Sequence, residues 1–200
     1  MPFIPLDPVG FPGIAALAIG LLAGFVALMR ARARGRAMPK SEDAARRNAS
    51  ILWIVVQGIG IGIAGFGPIR FALPADSAKA IVEAVAILAL MLAATWLFDA
   101  SSRAMGRNWA LVARTRDDGQ LVESGPFAWI RNPIYVALAL VMVAMAIAYG
   151  HSRNLLVAAP IFALGTWMRV RHEEAVLRAT FGPAFDRYAA RVKRFVPGVL

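Results

Sequence analysis

The sequence contains no cysteine and, for its length, few charged side chains. Without cysteine there is no disulfide, no thiolate metal site and no cysteine nucleophile. Only 17% of the 200 residues are charged and 59% are hydrophobic, which is too apolar for an ordinary soluble domain of this size. The composition therefore predicts a single domain that lies mostly in a lipid bilayer.

The net charge of +10 comes from basic residues that occur in clusters between long apolar runs. They do not form a stripe interleaved with aromatic side chains that could stack on bases, so we expect no nucleic-acid partner. Membrane proteins use such clusters to set their orientation. We therefore predict membrane lipids as the surroundings of these charges.

Five apolar stretches are long enough, or nearly so, to cross a hydrocarbon core of about 30 Å as helices. They are Phe11–Met29, Ile51–Ile69, Ile81–Phe98, Ile134–Tyr149 and Leu155–Val170. The last two are short, and Pro160 interrupts the fifth. The connection His151–Asn154 is short enough to predict an antiparallel hairpin of the last two spans. The predicted fold class is an all-α bundle of five transmembrane helices.

The distribution of basic residues predicts how these spans are oriented. Nineteen of the 22 Lys and Arg residues lie in the segments 30–47, 103–131 and 169–194, and three lie in the alternate connections. This bias places the three basic segments in the cytosol and the N-terminus outside. The first apolar stretch precedes its basic residues, so we predict a retained helix and not a cleaved signal peptide. The expected location is a bacterial inner membrane.

Residues 1–200 are predicted to form one membrane domain. Residues 1–98 would hold the three N-terminal spans, and residues 99–200 a cofactor-binding segment, the final hairpin and an amphipathic tail. Gly20-x-x-x-Gly24 and Gly58-x-x-x-Gly62 in the first two spans predict helix-packing faces. Such faces serve contacts within a chain and between chains alike, so the oligomeric state stays open.

The most informative segment runs from Gly125 to Tyr135. Near its end, Asn132 suits the N-cap of a helix and Pro133 its first position. A helix N-terminus offers unpaired N–H groups and partial positive charge, and Arg131 adds a bidentate donor beside it. The segment predicts a site for a carboxylate or phosphate, and a contact of Arg131 with a lipid phosphate fits it equally well.

Two adjacent carboxylates, Glu173 and Glu174, follow the fifth span. With Ser152 as the apex of the hairpin, Arg131 lies 21 residues before it and Glu173 lies 21 residues after it, so both should reach the same depth. An anion site and a carboxylate pair in one volume match a zwitterionic ligand. The alternative is ion pairing of the glutamates with neighbouring arginines, namely Arg131, Arg169 or Arg178. No His-Glu-x-x-His pattern is present, so no metal site is expected.

Beyond Glu174, apolar residues recur at steps of three and four and predict a helical stripe on a tail with a basic opposite side. The stripe consists of Leu177, Phe181, Phe185, Tyr188 and Val192, with a new helix starting at Gly182-Pro183. Such a tail would lie on the membrane surface or fold back over the pocket. The stripe itself is more typical of packing than of ligand contact.

In their order and spacing these motifs resemble the isoprenylcysteine carboxyl methyltransferase and phospholipid methyltransferase group of membrane enzymes. The resemblance covers roughly residues 121–197 and rests on Gly125-Pro126-Phe127, Arg131-Asn132-Pro133-x-Tyr135, Glu173-Glu174-x-x-Leu177, Phe181-Gly182, Tyr188 and Arg194-x-x-Pro197. The eukaryotic pattern has His after the Arg, where this sequence has Asn132. Asn132 can cap the helix as His can, but an amide is not expected to transfer a proton at that position.

The resemblance implies an enzyme that uses S-adenosylmethionine (SAM), bound at the cytosolic end of the last hairpin, to methylate a lipophilic small molecule in the membrane. The residues that it assigns to the cofactor are Leu121, Val122, Gly125, Pro126, Arg131, Asn132, Pro133, Tyr135, Glu173 and Glu174. The first four would supply contacts near the adenine. Arg131 and the helix start would hold the SAM carboxylate or shape the donor pocket, and the glutamates would bind the SAM ammonium or ribose hydroxyls. Arg131, Tyr135 and Glu173 are the candidate catalytic residues.

Two other functions remain open from the sequence. Sterol reductases share a similar hairpin, so a membrane reductase that uses NADPH is one alternative; the Glu173-Glu174 pair favours SAM, because carboxylates repel a 2′-phosphate. The other is a non-catalytic lipid-binding membrane protein whose arginines hold phosphates. The nucleophilic atom of the methyl acceptor is also open.

Overall fold

A computed structural model of the chain describes residues 7–35, 44–106 and 121–198, with the side chains of residues 35 and 44–50 excepted. Within these residues the chain forms the helices α1 (Phe11–Gly35), α2 (Ala44–Gly65), α3 (Ala78–Met105), α4 (Pro133–Ala148), α5 (Leu155–Phe181) and α6 (Pro183–Arg191). Short 3-10 turns at Gly125–Ala128 and Ser152–Asn154 precede α4 and α5. The all-α prediction is confirmed. Part of the basic segments used to predict the topology, residues 36–43 and 107–120, lies outside the described residues.

The predicted spans correspond to α1 to α5, with two differences at their bounds. The second span ends at Gly65, because Gly67 (φ 139°) and Pro68 follow and do not continue a helix. Pro160 lies inside α5, which continues to Phe181. By length and composition α1 and α3 can cross a membrane, whereas α2 and α4 contribute shorter apolar segments. The count of five spans stays a prediction.

The helix α4 lies at the centre of the bundle, and none of its side chains is exposed. On one side α3 packs against both α1 and α4, and on the other α5 packs chiefly against α2. The arms of the predicted hairpin therefore do not pack along each other for their whole length. They share a core near their turn, formed by Met142 and Ala146 of α4 with Ala158 and Phe162 of α5.

A polar side chain joins the turn between α4 and α5 to the end of α2. The amide of Asn154 donates to the carbonyl oxygens of Ile63 at 2.9 Å and Phe66 at 3.0 Å. The last carbonyls of a helix have no partner within the helix, and Asn154 satisfies the one at Ile63. This contact places the start of α5 beside the end of α2.

Glycines allow the closest approach in both helix pairs. A Cβ on Gly20 of α1 would collide with the Cβ of Met91 on α3, so this part of the predicted packing face is confirmed. In α2 the close approach occurs at Gly60, where a Cβ would lie 2.8 Å from the backbone nitrogen of Phe162. A Cβ on Gly58 or Gly62 would meet no described atom within 4 Å, so their predicted packing role is wrong within the described chain.

Replacing Gly60 by alanine should lower the thermal stability of the purified protein in detergent. The added methyl would collide with the backbone of α5, and we expect a loss of about 1–3 kcal/mol as the helices separate. Gly58→Ala on the same helix is the matched control and should leave the unfolding temperature unchanged or slightly higher, because alanine favours helix. Equal losses in the two variants would contradict this packing.

The outward faces of the bundle carry large apolar side chains. On α1 and α3 they recur at helical spacing and are exposed: Ile19, Leu22, Phe25, Val82, Val85, Leu92 and Trp96. The face of α5 also exposes Leu156 and Leu164. Soluble proteins rarely expose contiguous apolar surface of this extent.

Candidate functional site

The predicted meeting of Arg131 with the glutamates occurs where α4 begins. Nη1 of Arg131 lies 2.8 Å from Oε1 of Glu174, one residue beyond the position predicted from the hairpin register. Glu174 is 95% buried, since its relative exposure is 5%. Arg194, which follows α6, approaches the same carboxylate with Nη2 2.7 Å from Oε2. Two arginines from distant parts of the chain therefore neutralise one buried carboxylate.

The backbone fixes the tail beside the start of α4. The N–H of Arg131 donates to the carbonyl of Lys193 at 2.8 Å, and the N–H of Asn132 donates to that of Arg194 at 3.1 Å. The Asn132 side chain occupies the N-cap position but forms no capping hydrogen bond; its amide nitrogen lies 3.4 Å from the Arg194 carbonyl instead. The predicted cap is thus replaced by a link to the tail.

Of the N–H groups at the start of α4, few are free for a ligand. Pro133 has none, and the N–H of Tyr135 donates to the Asn132 carbonyl at 3.2 Å. Within the described part of the chain, the N–H of Ile134 has no acceptor. The helix N-terminus can therefore supply one backbone donor to an anion.

Both carboxylate oxygens of Glu174 already accept hydrogen bonds from arginines. Burial lowers the pKa of Arg131 from its ordinary value, and the hydrogen bonds with Glu174 raise the pKa of Arg194. Both guanidinium groups still carry a charge at neutral pH. Oε1 of Glu174 accepts from both arginines, and Oε2 accepts from two nitrogens of Arg194. Three donor nitrogens therefore make four contacts with this carboxylate, since Nε of Arg194 approaches both oxygens, and both oxygens are engaged.

Glu173 faces α4, and only one of its carboxylate oxygens has hydrogen-bond partners in the described structure. Its Oε1 accepts from the hydroxyl of Tyr135 at 2.6 Å and from Nε of Arg169 at 3.1 Å. The Arg169 guanidinium also stacks over the Tyr135 ring at 5.3 Å. Among the described residues, Oε2 of Glu173 has no hydrogen-bond partner, and a fifth of the side chain is exposed.

The predicted alternative of ion pairing is therefore present in both glutamates. Glu174 pairs with Arg131 and Arg194, and Glu173 pairs with Arg169, whereas Arg178 pairs with Asp186. We call Arg131, Tyr135, Arg169, Glu173, Glu174 and Arg194 the polar cluster. In it, Nε of Arg131 is buried and has no partner in the described structure.

The segment before α4 forms an apolar wall beside the polar cluster. Leu121, Leu177 and Phe181 pack against the buried cluster of Phe185, Tyr188 and Val192, so the predicted tail stripe is confirmed as packing. The Tyr188 hydroxyl donates to the Phe127 carbonyl at 2.8 Å, and burial raises the pKa of Tyr188, so that it stays a donor. The apolar face of the tail thus packs against the segment before α4.

A family model for phospholipid methyltransferases matches residues 82–184, just over half of the chain. The chain belongs to the phospholipid methyltransferase family. Members of this family transfer methyl groups from SAM to lipid-type substrates, and this protein is a SAM-dependent methyltransferase. This decides against the NADPH reductase and against a non-catalytic lipid-binding protein. A search of curated proteins finds no match to the chain.

The structure separates the ten predicted cofactor residues of this methyltransferase into two sets. Arg131, Asn132, Tyr135, Glu173 and Glu174 come together at the start of α4, next to the buried ring of Pro133. The other set lies in the wall between α3 and α6: Leu121 in the apolar cluster, Val122 half-buried, Gly125 (φ 60°) beside Ala104, and Pro126 buried.

Three residues in the polar cluster or in contact with it were absent from the predicted set. Arg194 belongs to the motif Arg194-x-x-Pro197, but nothing in its spacing indicates that it reaches Glu174. Arg169 was considered only as an ion-pair partner. Gln57 was overlooked, although a lone amide inside an apolar span is itself a signal of function.

Proposed function

We propose that SAM binds at the polar cluster and that its methyl group passes to a lipophilic acceptor dissolved in the bilayer. The observation that supports this placement is a hydrogen-bond donor and a hydrogen-bond acceptor that both lack a partner in the described structure. Nε of Arg131 is a buried donor without a partner, and Oε2 of Glu173 is an acceptor without one in the described structure. The methionine part of SAM carries a carboxylate and an ammonium, and a buried donor without a partner is costly. The residues present therefore fit this cofactor.

The two glutamates have different roles in this proposal. Glu174 is engaged by arginines at both oxygens and holds the tail on α4, so it shapes the pocket without contacting the ligand. Glu173 offers its second oxygen to the SAM ammonium or a ribose hydroxyl. Arg131, with one nitrogen on Glu174, turns its remaining donors and the neighbouring Ile134 N–H toward the SAM carboxylate.

When bound, SAM supplies a methyl group that its sulfonium already activates. The chain contributes orientation and the exclusion of water. The Tyr135 hydroxyl donates to Glu173 and holds that carboxylate in place, so Tyr135 acts as a donor and not as a base. If the acceptor is an amine, a base must take its proton, and Glu173 is the candidate in the polar cluster; a carboxylate acceptor needs no base.

The location proposed for this enzyme is integral to a membrane. The exposed apolar faces of α1, α3 and α5 would contact lipid, and helices from the predicted parts 1–98 and 99–200 pack together, which supports one domain. Five spans with the polar cluster at the cytosolic end would give SAM access from the cytosol and the acceptor access from the bilayer. The bacterial inner membrane stays a prediction.

Incubating the purified protein with methyl-labelled SAM and a native lipid extract should transfer label into a lipid-soluble product, which mass spectrometry can identify. Calorimetry in detergent should show saturable binding of SAM and of S-adenosylhomocysteine. NADPH is the control ligand and should not displace either of them, because the polar cluster presents Glu173 to a 2′-phosphate. A protein that binds neither SAM nor S-adenosylhomocysteine would overturn the proposal.

A further inference from the structure

A buried amide on α2 extends the polar cluster beyond the residues matched by the family. Gln57 is 97% buried, since its exposure is 3%, and it lies outside residues 82–184. Its neighbours along the helix are apolar. A buried amide costs free energy unless its donors and acceptor are paired. The partners of Gln57 therefore indicate what it does.

Both ends of the Gln57 amide contact α5. Nε2 donates to the hydroxyl of Thr166 at 2.8 Å, and Oε1 accepts from Nη1 of Arg169 at 3.4 Å. Thr166 and Arg169 stand three residues apart and so lie on the same face of α5. One amide thus holds two consecutive polar positions of the neighbouring helix.

A glycine makes this contact possible. A Cβ on Gly165 would lie 3.0 Å from both the backbone nitrogen and Cγ of Gln57. The glycine therefore lets α2 approach α5 at Gln57 more closely than a residue with a side chain would without a small shift. The helix pair is therefore shaped around the amide.

From Arg169 the contacts continue into the proposed SAM site. Nε of Arg169 lies 3.1 Å from Oε1 of Glu173, and the same oxygen accepts from the Tyr135 hydroxyl at 2.6 Å. Gln57, Arg169, Glu173 and Tyr135 form a continuous chain of hydrogen bonds across α2, α5 and α4. Arg169 has a long flexible side chain, and the amide oxygen of Gln57 restricts where its guanidinium can lie.

We propose that Gln57 is a positioning residue for SAM binding: through Arg169 it holds the Glu173 carboxylate so that its second oxygen faces the cofactor. This inference rests on the placement of SAM at Glu173 proposed above. Gln57 does not touch the cofactor. Gln57 connects α2, which the family model does not cover, through Arg169 to Glu173, the carboxylate that binds the cofactor.

Replacing Gln57 by methionine keeps the length of the side chain and removes both polar ends. We expect the Kd of SAM, measured by calorimetry on the full-length protein in detergent, to rise about tenfold. Gln57→Glu retains oxygens for Arg169 and for the Thr166 hydroxyl, which can rotate to donate, so its Kd should stay within about threefold of the wild type. Ile59→Met, on the exposed face of α2, is the control and should leave the Kd of SAM unchanged.

A double-mutant cycle separates positioning from a general loss of stability. If Gln57 acts through Glu173, then Gln57→Met should have little further effect on the Kd once Glu173 is glutamine. An unchanged Kd in Gln57→Met, or equal effects of Gln57→Met in both backgrounds, overturns the inference while SAM binding by the wild type stands. Failure of the wild type to bind SAM would overturn the placement of the cofactor itself. Should Gln57→Met not accumulate, Gln57→Asn is too short to reach both partners and answers the same question.

Discussion

Replacing Glu174 by alanine should lower the free energy of unfolding by about 3–5 kcal/mol, the usual cost of removing one partner of a buried ion pair. Glu174 is 95% buried, given its 5% exposure, and its loss would leave Arg131 and Arg194 facing each other without a carboxylate. The tail would then lose the carboxylate that links Arg194 to Arg131. Thermal unfolding in detergent should show a decrease on the order of 10 °C.

Asp186→Ala is the matched control for this experiment. Its pair with Arg178 has the same 2.8 Å separation as the pair of Glu174 with Arg131, but both of its side chains are more than half exposed. An exposed pair contributes about 0–1 kcal/mol, so the unfolding temperature should hardly change. Equal losses in the two variants would show that Glu174 does not hold the tail. If Glu174→Ala does not accumulate, Glu174→Gln should show a smaller loss in the same direction.

Local sequence signals predicted the helices and much of the site. Apolar runs of the right length correspond to α1 to α5, and the turn residues Gly182 and Pro183 correspond to the restart at α6. Arg131 and Glu173 are equally far from Ser152 in sequence, and the rise per residue of a helix is constant. This predicted that the start of α4 lies close to the two glutamates of α5, as it does. Arg131 contacts Glu174 and not Glu173, because a common depth along the hairpin does not determine which of two adjacent side chains faces Arg131.

Which helices pair could not be predicted, because lipid-facing and partner-facing residues are equally apolar. Gly58 and Gly62 have the spacing of a packing face, yet Gly60 meets α5. Likewise the hairpin predicted α5 against α4, whereas α5 packs chiefly on α2. Only the polar side chains indicate which faces of α2 and α5 meet. Gln57 and Thr166 pair with each other, because a polar group without a partner is costly in an apolar interior.

The contacts of the tail could not be predicted either, because they depend on how the chain turns and packs after α5. Arg194 lies 20 residues after Glu174, and the distance between them depends on the turn at Gly182 and on the packing of Phe185 and Tyr188. A stripe of apolar residues shows that the tail packs, but not against what. Of the two predicted positions, the structure shows the tail folded back, with its backbone paired to the start of α4 and its apolar face against Leu121.

Replacing Glu173 by glutamine should remove most SAM binding and leave the fold intact. The amide oxygen can still accept from Tyr135 and Arg169, so the contacts within the chain persist. What is lost is the negative charge offered to the SAM ammonium, and a hydrogen bond to a charged group contributes about 1.5–3 kcal/mol. The Kd of SAM should therefore rise by roughly 10- to 100-fold, with methyl transfer at fixed SAM reduced accordingly.

The control for this loss is Glu83→Gln, because Glu83 on α3 is 22% exposed and forms an i,i+4 pair with Lys79, as Glu173 does at 20% exposure with Arg169. Glu83 lies outside the polar cluster, so its substitution should change neither the Kd nor the unfolding temperature by more than the error. If Glu173→Gln binds SAM as the wild type does, the cofactor does not use the free oxygen of Glu173. If instead its unfolding temperature falls as far as that of Glu174→Ala, Glu173 is a structural partner of Arg169, and the ligand must bind elsewhere on Arg131.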